Sequence, residues 1–90
     1  MSYQVQFTEK ALQGIEKLKK SGNKSLLRKL KTLLDELTTH PYSGTGQPEQ
    51  LKHDFVGFWS RRLNREHRIV YAVDEKIITV TVISVFGHYK

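Results

Sequence analysis

The sequence predicts an α+β domain of order β-α-α-β-β-β, in which an N-terminal strand and a two-helix hairpin pack on an antiparallel β-sheet. Three observations lead there. The chain opens with a period-two segment, continues with two segments whose apolar residues recur every three or four positions, and closes with three strand-like segments joined by short turns.

Tyr3, Val5 and Phe7 alternate with Gln4 and Gln6, the pattern of a half-buried strand. Thr8 is placed to cap a helix opened by Glu9 and Lys10, whose stripe is Ala11, Leu12, Ile15 and Leu18. Gly22 suits a helix C-cap. A second helix is expected over 24–37, with Leu26, Leu30, Leu33 and Leu37 on one stripe, Leu27 and Leu34 widening it, and Lys24, Arg28, Lys29 and Lys31 mainly outside. A leucine stripe at this spacing is a core face. Pro41 ends the helical pattern, and 41–50 is a turn region rich in Gly, Ser, Thr and Pro. Strands are expected over 58–63, 68–73 and 77–85, with a short extra one near 51–53. The connections 64–67 and 74–76 make consecutive antiparallel hairpins the natural arrangement.

Ninety residues make one domain, 1–90, with one modest core. The lack of cysteine rules out a disulfide framework and a thiolate metal site, and a reducing cytoplasm is the expected home. No apolar run approaches the ~20 residues of a membrane span, and the N-terminus lacks the order of a signal peptide. Fifteen Lys and Arg against nine Asp and Glu give a formal charge of +6 and a pI near 9.7. Such a surplus attracts polyanions, although a charged surface serves solubility as well.

The second half concentrates polar residues of catalytic type: Glu49, Lys52, His53, Arg61, Arg62, Arg65, Glu66, His67, Arg68 and His88. Phe55, Phe58, Trp59, Tyr71 and Tyr89 interleave with them. Arginine forks bind phosphate and aromatic rings stack on unpaired bases, a combination suited to single-stranded RNA. Trp59 fits the core and an RNA platform equally well at this level. Metal catalysis finds little support, because no His pair has i, i+4 spacing and no acidic cluster is present. Ser60 lacks the G-x-S-x-G context of a nucleophile. General acid–base chemistry by Glu and His beside fixed cations remains, and RNA brings its own nucleophile, the 2′-hydroxyl.

The run Gly44-Thr45-Gly46-Gln47-Pro48-Glu49-Gln50-Leu51-Lys52-His53, then Gly57-Phe58-Trp59-Ser60-Arg61-Arg62, then Glu66-His67-Arg68-Ile69-Val70-Tyr71-Ala72-Val73 resembles the YoeB branch of the RelE/ParE toxin superfamily. His88-Tyr89 resembles that branch's terminal His-Tyr. The resemblance implies a microbial RNase fold and the toxin of a type II toxin–antitoxin system. The implied activity is a ribosome-dependent, metal-independent messenger RNA endoribonuclease without a cofactor. Its implied partners are an acidic, YefM-like antitoxin, the 70S ribosome and mRNA, with no membrane and with homodimerisation open. It also implies roles: Glu49 as general base, His88 as general acid and Arg68 as the cation steadying the phosphorane. Lys52 and Arg62 match further cationic positions around the phosphate, and Tyr89 matches an aromatic that positions RNA. His53 and His67 receive no role.

Two departures stand out. Phe86 and Gly87 occupy positions where the best-known members carry an arginine and a tyrosine, and Lys90 follows the tyrosine. A period-two count also sets His88 on the apolar face of Val80, Val82 and Phe86, unless a bulge at Gly87 breaks it.

Overall fold

A computed structural model describes residues 2–52 and 57–85. The elements follow in the order β1 (Gln4–Phe7), α1 (Glu9–Lys20), α2 (Lys24–Leu37), β2 (Glu49–Gln50), β3 (Phe58–Arg62), β4 (Arg68–Asp74) and β5 (Thr79–Ser84). The strands form one five-stranded sheet in the order β1-β5-β4-β3-β2. The expected antiparallel pairing holds from β2 through β5. β1 instead joins β5 in parallel, so the sheet is mixed. The short extra strand lies at Glu49–Gln50, two residues earlier than expected. β5 begins at Thr79 because Ile78 still belongs to the turn, at a φ of 51° that β-branched residues rarely adopt.

Both helices start as the sequence indicates. The Thr8 hydroxyl accepts from the Ala11 amide at 3.1 Å, and the Asn23 side chain accepts from the Leu26 amide at 3.0 Å. Each satisfies an amide that has no partner within its helix. The stripe Leu26, Leu30, Leu33 and Leu37 is buried together with Ala11 and Leu18, against Ile69, Tyr71, Val80 and Val82 of the sheet. Leu12 departs from the expected stripe and is 51% exposed, whereas Gly14 is buried. Among the described residues no helix is long and apolar enough to cross a membrane.

One irregularity bears on the site. Val70 stands opposite Ser84 while Tyr71 stands opposite Val82, so Ile83 is an extra residue in β5. The carbonyl of this bulge accepts from the Thr8 hydroxyl at 2.7 Å, which ties it to the start of α1. The bulge reverses the alternation: Val80 and Val82 are buried, and then Val85. The period-two count that set His88 with Val80 and Val82 runs through this bulge, so it does not hold beyond Ile83. His88 itself lies outside the described residues.

Candidate active site

Arg61 organises the loop that delivers Glu49. Alternation along β3 turns Trp59 and Arg61 toward the helices and Phe58, Ser60 and Arg62 toward the opposite face. Arg61 is fully buried. Its guanidinium pairs with Glu36 of α2 at 2.8 Å and donates to the Ser43 carbonyl at 2.7 Å, to the His40 carbonyl and to the Tyr71 hydroxyl at 3.1 Å. Tyr71 in turn donates to the Pro41 carbonyl at 2.7 Å. The Glu36 oxygen that meets Arg61 also accepts from the Thr45 amide at 2.7 Å, and the other carboxylate oxygen accepts from the Thr45 hydroxyl at 2.6 Å. Burial alone would raise the pKa of Glu36, but the Thr45 hydrogen bonds and the Arg61 charge outweigh it and hold the carboxyl below its usual range. Burial pushes the Tyr71 phenol up, against the opposing pull of Arg61.

The two glycines of the loop are required by this arrangement. Gly44 takes a φ of 116°, and a side chain there would run into the Glu36 carboxylate. Gly46 takes a φ of 87°, and a Cβ would stand 2.8 Å from the Arg62 carbonyl oxygen. That closeness lets the Arg62 amide donate to the Gly46 carbonyl at 2.7 Å, fastening the loop to β3. The chain then enters β2 with Glu49 opposite Ser60.

The sheet face away from the helices gathers the charged groups. Glu49, Ser60, Val70 and Ser84 form one row across four strands, and Arg62 stands opposite Arg68 in the neighbouring row. The Arg68 guanidinium lies 3.6 Å from the Glu49 carboxylate, with the side chains 18% and 56% exposed. A carboxylate therefore sits beside one arginine, with the exposed Arg62 adjacent to it. Beneath them the Ser60 hydroxyl is buried and without a hydrogen-bond partner among the described residues. Lys52, just beyond β2, is exposed.

Of the residues singled out in the sequence, the structure brings Glu49, Arg62 and Arg68 together on one face. His88 and Tyr89 lie outside the described residues, as do His53 and Phe55. Trp59 belongs to the core side. It faces Tyr71 in register and packs on the Tyr42 ring at 5.0 Å. His67 is buried in the turn before β4, where the Asn64 side chain accepts from the amides of residues 66 and 67. Arg61 had been left without a role. Its signal was available, an arginine in the inward phase of a strand, where only a partnered charge is tolerable. Among the described residues no three His, Asp or Glu side chains are close enough to hold a metal ion.

Comparison with known proteins agrees with this fold. The family described as "YoeB-like toxin of bacterial type II toxin-antitoxin system" matches residues 7–89. Toxin YoeB of Escherichia coli (strain K12) is 41% identical over 58 residues, which make up 64% of this chain and 69% of that protein. A solved structure described as a YoeB/ParE toxin from Agrobacterium tumefaciens superposes with a TM-score of 0.87 at 31% identity, covering 96% of this chain and 99% of the other. The toxin of a heterotetrameric YoeB–YefM toxin–antitoxin complex from Staphylococcus aureus superposes with a TM-score of 0.78 at 31% identity, covering 99% of this chain and all of that one.

Proposed function

The chain belongs to the YoeB-like toxin family of bacterial type II toxin–antitoxin systems, and from that premise we propose that it is a ribosome-dependent endoribonuclease that cuts messenger RNA without a metal ion. The observation that carries this reading is the Glu49–Arg68 pair at 3.6 Å on the sheet face away from the helices, with Arg62 beside it. A proton acceptor next to fixed cations is what in-line attack by a 2′-hydroxyl on the adjacent phosphate requires.

In this reading Glu49 takes the proton of the 2′-hydroxyl, and that oxygen attacks phosphorus. Arg68 neutralises the charge that grows on the non-bridging oxygens, while Lys52 and Arg62 hold the flanking phosphate. His88 gives its proton to the 5′-oxygen as the P–O5′ bond breaks, and the upstream product keeps a 2′,3′-cyclic phosphate. Tyr89 positions the base next to the cut. Each proton transfer is worth about 10²- to 10⁴-fold in rate, and each preorganised charge about 10²- to 10³-fold. Glu49 and Arg68 pair in the free protein, so substrate binding exchanges that contact for a contact between Arg68 and phosphate, which frees the carboxylate to act as base.

The partners follow from the same premise. An acidic antitoxin of the kind assembled with the Staphylococcus aureus toxin complements the +6 chain, and the working compartment is the cytoplasm. A homodimer is compatible with the family.

Primer extension on a defined message in a purified translation system tests the reading, with and without ribosomes. Cuts that need ribosomes and disappear in His88→Ala are expected. Equal cutting of naked message would overturn the ribosome requirement. Inhibition of gyrase supercoiling with no RNA cut would replace the enzyme reading with a gyrase-directed one.

A further inference from the structure

The Glu49–Arg68 contact crosses a strand. Glu49 is on β2 and Arg68 on β4, with β3 between them. Two strand gaps of about 4.8 Å separate the backbones, so the two side chains reach over β3 to meet at 3.6 Å. The residue of β3 in register with Glu49 is Ser60, and on its other side Ser60 is in register with Val70. Alternation sets Phe58 and Arg62 on the same face, before and after Ser60 along the strand. One small side chain thus lies among four larger ones, beneath the ion pair. It is fully buried, and its hydroxyl has no hydrogen-bond partner among the described residues.

Packing explains the size of this residue but not its hydroxyl. Crossing side chains need a short residue below them, and alanine meets that need without a polar atom. A buried donor with no acceptor opposes folding. A local rule broken beside charged groups, with no structural gain, points to function. Ser60 lies too deep for RNA to touch while the pair above it stands, but Glu49 is within its reach. Residues in antiparallel register on one face hold their Cβ atoms about 4.5–5.5 Å apart, a gap that a turn of the Glu49 side chain closes.

We propose that Ser60 is a positioning residue for the general base: when Arg68 turns to the phosphate, the Ser60 hydroxyl donates to one oxygen of the Glu49 carboxylate and holds the other toward the 2′-hydroxyl. The proposal rests on the nuclease reading above. In that reading Arg68 leaves Glu49 as substrate binds, and Lys52 and Arg62 are engaged with phosphate. Glu49, more than half exposed, then loses the contact that orients it. Proton transfer requires a base held in productive geometry, and Ser60 is the donor in register with it. The serine keeps its own proton throughout. The proton that Glu49 accepts comes from the 2′-hydroxyl, and Ser60 only orients the acceptor.

Cutting of a defined message on ribosomes, followed over a range of toxin concentrations and alongside thermal melting, tests this with the full chain. Ser60→Ala should melt at or above the wild-type temperature. Its maximal rate should fall about 10- to 100-fold, the value of a hydrogen bond to a charged group, while the concentration giving half that rate stays unchanged. Ser60→Cys, close in size but a weak donor, should lose nearly as much. In a Glu49→Gln background Ser60→Ala should slow cutting no further, because the hydroxyl acts through the carboxylate. A wild-type rate in Ser60→Cys would make the residue a spacer and overturn the proposal. So would losses that add in full to those of Glu49→Gln, or a loss confined to the half-maximal concentration, since either places the hydroxyl on something other than Glu49. Wild type that cuts nothing ends the nuclease reading and this inference with it. Wild type that cuts, matched in rate by Ser60→Ala, ends this inference alone.

Discussion

Arg61 and Glu36 meet at 2.8 Å although 25 residues separate them, and the loop that presents Glu49 hangs on this pair. Removing one member of a buried ion pair leaves the other uncompensated, at a cost of about 3–5 kcal/mol. That is a large share of the ~5–15 kcal/mol that holds a domain together. Arg61→Ala should therefore lower the stability measured by urea unfolding by about that amount. Arg61→Lys should recover little, because a single ammonium cannot serve Glu36, Ser43, His40 and Tyr71 together. Near-wild-type unfolding of either variant would remove the pair from this account.

The same pair predicts an acid sensitivity. The Glu36 carboxyl titrates below its usual range in the folded protein, so the folded state binds its proton less readily than the unfolded chain. The stabilisation is complete above the unfolded value near 4.5 and disappears as pH falls through the lower folded value. Melting curves from neutral pH downward should show wild type and Glu36→Gln far apart at pH 7 and converging below pH 4.5. A gap that stays constant across the range would show that the carboxylate charge contributes nothing.

Gly46 offers a test of how Glu49 is positioned. Gly46→Ala combines a φ of 87° with a Cβ 2.8 Å from the Arg62 carbonyl oxygen, so the loop has to move off β3. A loss of about 1–3 kcal/mol is expected from strain at such a residue, together with a fall in cutting larger than the unfolded fraction explains. Full activity in the folded variant would mean that Glu49 does not depend on this anchor.

Local patterns were legible in the sequence and long-range ones were not. The α2 leucines were readable because a 3.6-residue period needs no information beyond the helix, and the Thr8 cap because its partner amide is three residues away. The parallel pairing of β1 with β5 was hidden, since Val5 meets Val80 only after the rest of the chain has folded between them. The Ile83 bulge had no Gly or Pro to mark it and depends on Thr8, 75 residues away. Glu49 and Arg68 could be picked out by motif, but their 3.6 Å approach comes from the register of β2 on β3 and β3 on β4.

Ser60 should be dispensable for folding. Its hydroxyl is buried with no partner among the described residues, and removing an unsatisfied buried polar group is neutral or stabilising. Ser60→Ala should melt at or above the wild-type temperature. A clear loss of stability would contradict the reading of this hydroxyl as unsatisfied.

Glu49 should separate activity from stability. Its ion pair with Arg68 is on the surface, with Glu49 more than half exposed, and pairs of that kind contribute about 0–1 kcal/mol. Glu49→Gln should therefore unfold like wild type. The most direct measurement is mass spectrometry of the 3′ ends of a cut message, following rate and end group for wild type and Glu49→Gln. The account predicts a 2′,3′-cyclic phosphate from wild type and about 10²- to 10⁴-fold slower appearance of it in the variant. A 3′-hydroxyl end, or cutting by Glu49→Gln at the wild-type rate, would contradict the assignment of Glu49 as the base that activates the 2′-hydroxyl.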